Sequence, residues 1–137
     1  MTILESKGEQ RVREILEQER FHFIQEYSFP DLHSYKGKAL RFDFAVFNGD
    51  SVAACIEVQG RQHFEYVPHF SKNKILWQYA RERDLQKAQY CLVHKIPLYS
   101  IPYCDIELLN SSEDIFRSLY CVKRKWNIMF RKYPKRR

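Results

Sequence analysis

The sequence predicts a single α/β domain in which a mixed central β-sheet is flanked by helices, and three observations predict it. Apolar residues recur at helical spacing near the N-terminus and again across residues 72–95, a stretch without glycine or proline. Two runs rich in apolar, aromatic and β-branched residues flank Asn48-Gly49-Asp50, a strong hairpin-turn signal. A further short apolar segment follows the long helical stretch, so a strand rejoins the sheet after a helical crossover.

Each element follows in order. Ser6-Lys7-Gly8-Glu9 has capping-box spacing, and Val12, Ile15 and Leu16 follow on one helical face, which predicts a helix over 7–19. Residues 21–29 have strand composition, and Pro30-Asp31 opens a polar loop through residue 38. Residues 41–47 and 52–58 form a hairpin. The long helix places Ile75, Leu76, Tyr79, Leu85, Ala88 and Leu92 inward, with Trp77 and Tyr79 read as packing residues, and it ends before Pro97. Residues 98–103 form a short strand, and Ser111-Ser112-Glu113-Asp114 starts a last helix that covers Ile115, Phe116 and Leu119. This divides the chain into a domain over 1–120 and a basic segment over 121–137.

Composition limits the classes of function. The chain has 137 residues, 45% apolar and 15% aromatic, enough for one packed core and well above the range of disorder. No apolar run approaches the roughly 20 residues of a membrane helix, and Met1 to Gln10 lacks the pattern of an export signal, so the expectation is a soluble, cytoplasmic protein. The four cysteines form no Cys-x-x-Cys pair, which argues against a zinc cluster or a disulfide framework. Net charge is +6, but Lys123, Arg124, Lys125, Arg131, Lys132, Lys135, Arg136 and Arg137 crowd an acid-free end, and the rest of the chain is slightly acidic. A clustered cationic arm of this kind suits a nucleic-acid partner, which it would bind through its phosphates without reading sequence; a solubilising tail is the alternative.

The hairpin carries the candidate chemistry. With a near-standard turn, residues whose numbers sum to about 100 face one another, which sets Asp43 opposite Glu57. Their neighbours Phe42, Phe44, Ile56 and Val58 are apolar, and two like charges buried there cost several kcal/mol unless paired. A hard divalent cation bound by Asp43 and Glu57 is the simplest compensation. Gln59 projects from the same face as Glu57, and His63 stands just past the strand end, as a titratable partner or a structural histidine.

An Asp on one strand and Glu-x-Gln on the next resemble the PD-(D/E)XK motif of restriction-endonuclease-like nucleases, with Gln59 where that motif has lysine. Within that superfamily the chain most resembles the very-short-patch repair endonucleases and related phage homing nucleases. The resemblance is carried by Ser6-Lys7-Gly8-Glu9, Phe42-Asp43-Phe44, Ile56-Glu57-Val58-Gln59-Gly60, Gln62-His63-Phe64, Arg83-Asp84 and residues 96–103. It implies a restriction-endonuclease-like fold and an active-site set of Glu9, Asp43, His63 and Asp84, with Glu57 and Gln59 beside the metal ligand Asp43. Glu9 is equally a capping residue, and Asp84 equally a surface carboxylate of a charged helix. Pro30-Asp31 matches the motif's first letters but falls in the expected loop.

These readings converge on a magnesium- or manganese-dependent endonuclease acting on DNA, phage- or mobile-element-encoded and weakly sequence-specific or structure-selective, since no appended reading domain is present. Asp43 and Glu57 would hold the metal, His63 would move a proton with Asp84 fixing its tautomer, and Gln59 would hold the nucleophile. A homodimer would suit cleavage of both strands. The competing reading is a non-catalytic nucleic-acid-binding module that keeps the fold.

Overall fold

The computed structural model describes residues 5–60 and 74–116, without the side chains of 74–80. Its elements are α1 (Lys7–Gln18), β1 (Phe23–His33), β2 (Ala39–Asn48), β3 (Ser51–Gln59), α2 (Lys74–Val93), β4 (Leu98–Pro102), a 3-10 helix (Tyr103–Leu108) and the short α3 (Ser112–Phe116). The four strands form one mixed sheet in the order β1-β2-β3-β4. β1, β2 and β3 pair antiparallel, whereas β4 lies parallel to β3, a connection that needs the long crossover α2 supplies.

Helices cover both faces. On one, Val12, Ile15 and Leu16 of α1 and Ile115 of α3 pack with Phe44, Val46, Ala54, Ile56 and Ile101 of the sheet. On the other, Ala88 and Cys91 of α2 pack with Phe29, Phe42, Ala45, Cys55 and Leu98. Among the described residues no helix is long and apolar enough to cross a membrane.

The capping box forms as its spacing predicts: Ser6 Oγ accepts from the Glu9 N–H at 3.1 Å, and Glu9 Oε1 accepts from the Ser6 N–H at 2.9 Å. Gly8 lets this first turn lie directly against the sheet. A Cβ there would stand 2.7 Å from Val58 Cγ1 and 3.0 Å from Ile106 Cδ1. The hairpin register also follows the expected sum, with Phe44 opposite Ile56, Ala45 opposite Cys55 and Val46 opposite Ala54. A one-residue shift after Val46 then sets Asn48 opposite Ser51, closing a two-residue turn with Gly49 at φ +65°.

Two elements depart from expectation. β1 continues through Pro30 and Asp31 to His33 instead of ending before a loop. It is an edge strand, and its register shifts between Ser28 and His33, so the missing N–H of Pro30 is tolerated there. Asp31 accordingly stands on a strand, accepting from the Tyr90 hydroxyl at 2.7 Å.

Among the described side chains of α2 the buried positions are Arg81, Asp84, Ala88 and Cys91, while Leu92, an expected inward residue, is 60% exposed. Leu85 is only half-buried. The inward stripe is apolar where it crosses the Phe42, Cys55 and Leu98 cluster, and charged where α2 meets the carboxylates of the hairpin. Tertiary charge complementarity sets that face, and helical hydrophobicity alone does not reveal it.

Candidate active site

The open end of the β2–β3 hairpin is held by side chains. One residue beyond the Phe44–Ile56 pair, the Asp43 N–H donates to Glu57 Oε2 at 2.9 Å, and the Val58 N–H donates to Asp43 Oδ2 at 2.7 Å. Each carboxylate thus caps the opposing strand's backbone, and the two acidic groups the register sets face to face do meet.

The strands are also wrung at this point. Phe42 and Phe44, two residues apart, belong to cores on opposite faces of the sheet, although strict alternation would put them on one face. The facing strand changes face in step: Phe23 packs with the α1-side core and Tyr27 with the α2-side core. Between them Glu26 adopts φ +54°, a left-handed conformation unusual for a non-glycine residue.

The electrostatics follow from burial. Glu57 is 3% exposed and Gln59 1%. Burial pushes the Asp43 carboxyl up to about 9, and the nearby Glu57 and Glu9 charges push it the same way, only partly offset by the Val58 N–H and by Lys87. Without a counter-ion the site therefore favours a protonated Asp43.

Lys87 enters from α2. Its Nζ donates to Glu57 Oε1 at 2.6 Å and to the Arg41 carbonyl at 3.0 Å, and its side chain is 12% exposed. Burial works against its charge, but Glu57, Asp84 and Asp43 together outweigh that and hold its pKa above the ordinary lysine value. The residue remains an ammonium ion. Sequence reading missed it, and the available signal was its position three residues past Asp84 on one helical face.

A cavity of about 690 Å³ brings these groups together, lined by Glu9, Asp43, Glu57, Gln59, Lys87 and Tyr103 among others. Gln59 is distinctive: among the described residues neither its amide oxygen nor its amide nitrogen has a partner. An unsatisfied buried polar group costs about 1–3 kcal/mol. Glu26 approaches from β1, where ligand atoms of Glu9, Glu26 and Asp43 all lie within 4.8 Å of one another.

Of the residues the sequence singles out, Glu9, Asp43, Glu57 and Gln59 share this cavity. Glu9 caps α1 and also lines this cavity. Asp84 is buried on α2, and its charge acts on both Lys87 and Arg81; burial nevertheless draws the Arg81 guanidinium down to about 10. His63 and the eight basic residues from Lys123 to Arg137 lie outside the described residues, as do Leu119 and the side chains of Trp77 and Tyr79.

The chain matches no family model and no solved structure. It is 35% identical over 48 residues to an uncharacterized protein, 307L, of Invertebrate iridescent virus 6. The match covers 35% of this chain and 24% of the viral protein, so the chain spans about a quarter of that relative's length.

Proposed function

We propose that this chain is a metal-dependent endonuclease that hydrolyses phosphodiester bonds in DNA, built on a restriction-endonuclease-like fold and weakly sequence-specific or structure-selective. The observation that carries the reading is the meeting of Asp43, Glu57 and Gln59, from adjacent strands, with the Lys87 ammonium in one cavity. The order helix, three antiparallel strands, crossover helix, parallel strand supports it. Lys87 also answers the main departure from the motif, because it supplies from α2 the cation that Gln59 cannot.

The donor set consists of carboxylate and amide oxygens, and the Gln59 amide, without a partner among the described residues, leaves a neutral oxygen ligand available, which fits magnesium or manganese centred on Asp43. Such an ion, when bound, polarises the scissile phosphate and favours ionisation of the attacking water. Lys87 uses two of its three N–H groups within the described residues, and the third serves a phosphoryl oxygen in the cavity. With its pKa held above the ordinary lysine value it acts as an electrostatic group, leaving proton transfer to His63. Gln59 orients water or phosphate by hydrogen bonding, and the basic residues 123–137 add salt-dependent contacts to the DNA backbone.

Supercoiled plasmid incubated with the full chain in magnesium, manganese or chelator tests this reading. Metal-dependent nicking or linearisation is expected, reduced by about 10³-fold or more in Asp43→Ala, in line with the loss of several kcal/mol of transition-state stabilisation. Absence of metal-dependent cleavage of plasmid, branched DNA and RNA alike overturns it. Retained DNA binding in that case would favour the non-catalytic module.

A further inference from the structure

We propose that Glu9, Glu26 and Asp43, together with the side-chain oxygen of Gln59, form the ligand set of a hard divalent cation, and that Glu57 stands outside it as the anchor of Lys87. Glu26 is the new member. It lies on β1, outside every motif in the sequence, and reaches the others because β1 and β2 change face together opposite Asp43.

The geometry points there from several directions. The three carboxylates come from α1, β1 and β2 and present ligand atoms within 4.8 Å of one another. Among the described residues each keeps an oxygen free: Glu9 commits Oε1 to the helix cap, Asp43 commits Oδ2 to the Val58 N–H, and the exposed Glu26 has no hydrogen-bond partner. Glu57, by contrast, has both oxygens engaged, Oε1 by Lys87 and Oε2 by the Asp43 N–H.

Gln59 is the independent indication. It is 1% exposed, its amide has no partner among the described residues, and it lines the same cavity as Glu9 and Asp43. An amide oxygen can only accept and so gains nothing from a carboxylate, but in the cavity it shares with Glu9 and Asp43 it becomes a ligand once a cation is bound there. The set is thus three carboxylate oxygens and one neutral oxygen. Binding by these groups stands on the geometry; only its use in phosphodiester hydrolysis rests on the nuclease reading.

Manganese binding to the full chain, followed by the electron paramagnetic resonance of free Mn²⁺, tests the assignment apart from catalysis. Wild type is expected to bind one ion saturably. Glu26→Gln is expected to weaken binding at least about tenfold, with thermal stability in chelator unchanged or raised, while Glu17→Gln, at the far end of α1, matches wild type. Gln59→Leu is expected to raise stability in chelator and to weaken manganese binding. No saturable binding by wild type, or wild-type affinity in Glu26→Gln, overturns the assignment. Manganese binding that depends on Glu26 without cleavage of any nucleic acid would keep the ligand set and remove the nuclease; Asp43-dependent cleavage with affinity indifferent to Glu26 would do the reverse.

Discussion

The two ends of the β2–β3 hairpin are built from the same two strands by opposite means. Toward the turn, Ala45 faces Cys55 and Val46 faces Ala54, small apolar pairs completely or almost completely buried between the helices. At the other end Asp43 and Glu57 hydrogen-bond each other's strand through their side chains, and the sheet changes face around them. The turn end is what a sheet does when only packing is asked of it. The open end carries two acidic groups, an ammonium ion and an amide without a partner among the described residues, all within a buried region, a combination that destabilises a metal-free fold. Stability and chemistry are therefore segregated along one hairpin, a few residues apart.

The sharpest way to break this contrast is at Lys87. Lys87→Met leaves Glu57 buried without its cation, and a loss of about 3–5 kcal/mol is expected in chemical denaturation. The double variant Lys87→Met/Glu57→Gln is expected to recover most of that stability without recovering cleavage. Equal losses in single and double variants would show that the ion pair is not what the open end depends on.

A gentler probe is pH in metal-free buffer. Asp43 keeps its proton in the folded chain up to about 9, whereas an unfolded aspartate keeps it only to about 4. Between those values the folded state binds more protons, so stability is expected to fall as pH rises from 5 to 9, and a bound divalent cation should flatten the slope. Urea midpoints measured at pH 5, 7 and 9 with chelator, and again with manganese, check this, and Asp43→Asn should remove the dependence. A metal-free profile that rises with pH would contradict the burial of Asp43.

At the turn end, Val46→Ala removes two buried methyl groups and is expected to cost about 2 kcal/mol. Manganese affinity should not change. A parallel loss of metal binding would show that the two ends are coupled and that the segregation is only apparent.

Much of this arrangement was readable in the chain. The capping box, the hairpin register and the crossover helix are local patterns whose physics acts within a few residues, and they brought Glu9, Asp43, Glu57 and Gln59 to one place. Pro30 misled the reading of β1 because an edge strand tolerates proline, and edge position is a property of the whole sheet. The face of α2 misled it too, since Leu92 looks like a core residue until the sheet beneath shows where charge is needed.

By itself the sequence determined the element order and the acidic pair, because helical and strand periodicities and turn residues depend only on near neighbours. Tertiary structure alone decided that Lys87 meets Glu57 across 30 residues, that Glu26 arrives beside Asp43, and that Gln59 is buried without a partner among the described residues. Those facts arise from the parallel crossover and from the coordinated change of face in β1 and β2. Contacts between distant parts of a chain depend on how its elements stack, which no local pattern encodes.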